Sequence, residues 1–220
     1  MRAGQCRSGL YSHPMPMAGT SEVLVIVAGR KDASGKKTVY PHSIMFSAAT
    51  CALKEAKAKD DGSYYQCLLS CLSLAFSIEA YFNFLGEQII SNWHSEHEKL
   101  PPKEKLKLLA KAVDHELDYQ SPEYGAFTRV FALRKVLVHG KAETIKGSWS
   151  TKLKGKGPGF ALEAEWEKLT DPDAATAIYE NCRGLITALH LASPLRGEPF
   201  GVHSHGFASV KYESAESDEN

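Results

Sequence analysis

The chain has 220 residues, 43% hydrophobic and 24% charged, with 26 basic against 26 acidic side chains and zero formal net charge. That balance excludes a protein that coats nucleic acid by bulk charge, and the apolar share suffices for one buried core with decorations. The end, Lys211 to Asn220, carries one Lys against four acids, which leaves the rest at about +3 and permits a local anion site.

Residues 1–21 contain Gly, Ser, Pro and Met without the apolar core of a signal peptide, and are expected to be a disordered leader. Val23 to Ala28 is apolar and mostly β-branched; a turn at Lys31 to Lys36 and then Thr38 to Tyr40 predict a β-hairpin ended by Pro41. Ser43 is the expected cap of a helix from Ile44 to Lys59. Residues 22–62 thus form a hairpin and helix packed on a bundle.

Ser63 is expected to cap the longest and most apolar helix, about Tyr64 to Ser95. Leu68, Leu72, Ala75, Ile78, Phe82, Leu85 and Ile89 recur at three- and four-residue steps, and apolar residues spill onto the flanks, so it is central in the bundle or at a subunit interface. Glu79 and Asn83 stand out there, four apart on one face. Pro101-Pro102 opens a basic amphipathic helix to about Val113.

The next helix has a clean start and stop. Ser121 is the N-cap, Pro122 fits the first turn and Glu123 suits the positive end of the dipole. Phe127, Val130, Phe131, Leu133, Leu137 and Val138 give it an apolar face, and Gly140 is expected to close it in the left-handed conformation. Arg134 and His139 lie about 140° apart around an ideal helix, so they are expected to converge only if its end frays or a second subunit completes the site.

Residues 144–166 read as a second hairpin with a basic tip, whose Lys146, Lys152, Lys154 and Lys156 are candidates for tracking RNA phosphates. Thr170-Asp171-Pro172 restarts a helix to about Ala192, and residues 193–220 form an irregular acidic tail. Five cysteines show no zinc-type pairing, and no run approaches the roughly 18–20 apolar residues of a membrane span. The chain therefore reads as cytoplasmic, without membrane, metal or cofactor. His94-x-x-His97 and His203-x-His205 lack further ligands, and Gly155-x-Gly157-x-Gly159 follows no buried strand feeding a helix.

The stretches LRKVLVHG at Leu133 to Gly140 and SIEAYFNFLG at Ser77 to Gly86, with the helix order around them, resemble the HEPN superfamily (higher eukaryotes and prokaryotes nucleotide-binding domain). The likeness spans about Ser63 to Ala192. It implies a mainly α, HEPN-like helical bundle over residues 63–192, here decorated by two small β-hairpins. It also implies a homodimer in which two Arg-x4-His motifs face each other. Many members are metal-independent ribonucleases of toxin–antitoxin, defence or RNA-processing systems; others are inactive modules that bind nucleotide, RNA or a partner protein such as an antitoxin.

The family's catalytic Arg and His fall on Arg134 and His139, and the position after the Arg, typically Asn, is Lys135. Glu79, with Asn83 beside it, is expected to support the motif by orienting Arg134 or His139. Such a site deprotonates the RNA 2′-OH as it attacks the adjacent phosphate and protonates the leaving oxygen, roles an imidazole can fill. The Arg offers a permanent planar cation to the charge building on phosphorus oxygens.

Overall fold

A computed structural model describes residues 39–58, 62–146 and 163–200, and the backbone of two strands, β1 (Ala33–Lys37) and β2 (Ala208–Tyr212). The chain divides into two compact units, residues 1–34 with 210–220 and residues 35–209. The helices belong to the second.

They are α1 (Pro41–Lys57), α2 (Tyr64–Ile89), α3 (Pro102–Ala112), α4 (Pro122–His139) and α5 (Pro172–Ala192), with a π-helical turn at Trp93–His97 and a 3-10 turn at Glu167–Thr170. The protein is mainly helical, as its apolar periodicity predicts. α2 touches all four other helices and both short turns. Leu74, Ala75, Ile78, Tyr81, Phe82 and Leu85 are sealed from solvent along it, which explains why so much of its circumference is apolar. Around it lie Leu53 of α1, Leu106 and Leu109 of α3, Phe127, Val130 and Leu133 of α4, and Ile178, Cys182, Ile186 and Leu189 of α5.

Several boundaries differ from expectation. α1 begins at Pro41, whose fixed φ suits a first turn, and Ser43 is buried within the helix instead of capping it. Ser63 precedes α2 without a side-chain cap; its carbonyl accepts from the Cys67 N–H at 2.9 Å. α2 ends at Ile89, six residues short of Ser95, because Ile90 is extended and Asn92 is left-handed at φ 61. This reversal lays the indole of Trp93 on Gly86, where a Cβ would sit 2.2 Å from the ring, so only glycine fits.

The strands also fall elsewhere. β1 occupies residues expected to be the turn of the first hairpin, and it pairs with β2, within the segment expected to be an irregular tail. Phe200, in that same segment, stacks on Phe46 of α1 with centroids 3.9 Å apart. Residues 144–146 and 163–166 contain no strand, while the rest of the expected second hairpin lies outside the described residues, as does the expected leader.

α2 corrects one further expectation: by length and composition it is long and apolar enough to cross a membrane. Its 18-residue apolar window is 56% buried in the bundle, which is how the core helix of a helical protein meets the same criterion. Cys67, Cys71 and Cys182 are buried free thiols, and burial pushes Cys71 up to about 12, so it stays protonated and inert.

Candidate functional site

α4 presents the candidate residues because its start is capped locally and its core face is anchored. Ser121 Oγ accepts from the Tyr124 N–H at 3.1 Å, Pro122 occupies the first turn, and Phe127, Val130 and Leu133 are buried. The opposite side carries Thr128, Ala132, Lys135 and His139 at four- and three-residue steps, one stripe of the helix surface. Phe131, Arg134 and Val138 form the adjoining stripe.

Both stripes face a groove of about 500 Å³, closed on its other side by Pro101, Pro102 and Lys103 at the start of α3. Arg134 and His139 therefore line one groove within a single chain, and α4 stays helical through His139. They reach it from different stripes of a continuous helix, as their separation of about 140° expects. Lys135 and His139 are neighbours along one stripe and Arg134 flanks it, so a groove spanning two stripes receives all three. His139 is exposed.

Gly140 does not close α4 in the left-handed conformation; its φ is −66° and its backbone extended. Glycine is required there for a different reason, since a Cβ would lie 2.0 Å from the Val136 carbonyl oxygen.

The groove's ionisable lining is Lys103, Arg134, Lys135 and His139, with no carboxylate among its lining residues. Such a surface attracts anions, and the arginine's planar fork suits phosphate oxygens. Arg134 is also held from behind. Its Nη2 lies 3.0 Å from Glu79 Oε2, and its guanidinium carbon is 5.4 Å from the Phe76 ring centroid. Both members of the ion pair are roughly a quarter to a third exposed, at 31% and 26%. Arg134 Nε is buried and makes no hydrogen bond.

Asn83, one turn beyond Glu79, accepts a 2.8 Å hydrogen bond from Lys105 Nζ. The two polar residues that stand out in α2 thus each hold one cation from a neighbouring helix. Lys105 is 1% exposed, and burial pushes its proton affinity below the ordinary lysine range; Glu79 and Glu98 act against that shift, and Arg134 adds to it. The sequence marks it only as one of several lysines in a basic amphipathic helix. Its spacing of four from buried Leu109 was the available signal.

Lys152, Lys154 and Lys156 lie outside the described residues. Among the described residues, no group of three or more His, Cys, Asp or Glu is placed to hold a metal. No family model, no curated protein and no solved structure matches this chain.

Proposed function

We propose that this protein is a HEPN-like, metal-independent endoribonuclease acting through Arg134 and His139. The observation that carries the reading is that both residues line one groove whose ionisable lining is entirely basic. In this mechanism His139 takes the 2′-OH proton or supplies the leaving oxygen's proton, and Arg134 meets the charge on the scissile phosphate. A second copy supplies the complementary acid or base. The exposed apolar residues Phe76 on α2 and Val136, Leu137 and Val138 on α4 support a homodimer through these two helices.

A second reading, a catalytically inactive module that binds nucleotide, RNA or a partner protein such as an antitoxin, is favoured by the Arg134–Glu79 ion pair. A guanidinium already neutralised by a carboxylate has less charge to offer a transition state.

Cleavage of a mixed RNA pool in EDTA, wild type beside His139→Ala, decides between them. The nuclease reading expects 2′,3′-cyclic phosphate ends from the wild type and a loss of about 100-fold or more in the variant. Equal background in both sinks it and leaves the binding module.

A further inference from the structure

We infer that Lys105 is a positioning residue for Arg134, acting through the charge balance around Glu79. Lys105 enters from α3, is 1% exposed, and spends one of its three N–H donors on Asn83 at 2.8 Å. Asn83 and Glu79 are four apart on α2, so the buried ammonium and the Arg134 guanidinium approach the same face of the same helix, one turn apart. Glu79 is ion-paired with Arg134 at 3.0 Å, and from one turn before Asn83 its charge also favours the protonated form of Lys105.

The charged groups acting on Lys105 come from every side. Glu79 on α2 and Glu98 after the π-helical turn favour its charge, while Arg134 on α4 opposes it. Removing the ammonium leaves Glu79 to Arg134 alone, tightening that pair and drawing the guanidinium away from the groove. Lys105 also ties α3 to α2, and α3 begins with the Pro101, Pro102 and Lys103 that form the groove's other wall. The role rests on the proposed function only in its consequence for ligand binding; the link from Lys105 to Arg134 stands apart from RNA cleavage.

The test follows the guanidinium carbon resonance of Arg134 by NMR in the full-length protein as pH is raised. Arginine keeps its charge throughout, so a step in this resonance reports a neighbour. The expected result is a step below the ordinary lysine value of 10.5 in the wild type and its loss in Lys105→Met, with weaker binding of inorganic phosphate in the variant. A buried charge replaced by an apolar chain of similar length commonly leaves a fold intact. Should Lys105→Met not fold, Asn83→Leu removes the acceptor and is expected to displace the step. A wild-type resonance with no step, or one that persists unchanged in a folded variant, overturns the role. Loss of the step in a protein that cleaves no RNA upholds Lys105 while removing the ribonuclease reading.

Discussion

His42 on α1 is 5% exposed and lies among Tyr40, Tyr81 and Phe84, with its ring centroid 4.7 Å from that of Phe84. Burial first, and the nearby His190 second, lower its pKa from 6.5 to about 4. The unfolded chain therefore binds more protons than the folded one between these values. The stabilisation is complete above pH 6.5 and is lost as pH falls toward 4. At pH 5 the loss is about 2 kcal/mol relative to neutral pH, and urea melts at the two pH values are expected to show it. In His42→Phe that part of the difference should vanish; an unchanged difference would assign it to other groups. Nothing in the sequence around His42 marks it as buried, because its environment is built by α2, distant in the chain. Glu79 and Asn83 were legible as exceptions in an apolar helix, but their partners were not, since pairing Glu79 with Arg134 and Asn83 with Lys105 requires three helices to meet.

At the scale of elements, Gly86 in α2 and Gly125 in α4 make opposite predictions. Gly86 lies against Trp93, and Gly86→Ala is expected to cost about 1–3 kcal/mol by forcing the indole away. A Cβ at Gly125 meets nothing within 4 Å, and Gly125→Ala is expected to stabilise by about 0.5–1 kcal/mol through helix propensity. Thermal melts of the two variants should move in opposite directions. The Ser121 cap and the restart at Thr170-Asp171-Pro172 were readable because each signal is local; in the structure Asp171 Oδ2 accepts from the Asp173 and Ala174 N–H groups within its own turn. The end of α2 was not, because the apolar period continues through Ile90 while a left-handed Asn92 redirects the chain. That turn is stabilised by burying Trp93 in tertiary contact, and no local rule announces it.

For the whole molecule, the proposed homodimer has a direct test. Leu137 and Val138 are 37% and 54% exposed on the last turn of α4, beside the groove. Successive residues point about 100° apart on a helix, so the two expose apolar surface on adjoining sides of the end of α4, and exposed apolar surface of this kind marks candidate interaction sites. Analytical ultracentrifugation is expected to show a concentration-dependent dimer that Leu137→Asp shifts to monomer by at least about tenfold in Kd. A wild-type monomer at all concentrations would remove the dimer and, with it, the second copy's share of the proposed mechanism.

The sequence by itself determined the helical class, the apolar character of the long helix, the cap at Ser121, the helix restart at Thr170-Asp171-Pro172, and the candidacy of Arg134 and His139. These follow from periodicity, capping chemistry and residue type, all of which act over one or two turns. Only the tertiary structure decided that Arg134 and His139 open onto one groove, that Glu79 and Asn83 hold a cation each, and that Lys105 is buried. Those facts depend on where α3 and α4 cross α2, and helix crossings are set by side chains from distant parts of the chain packing against one another.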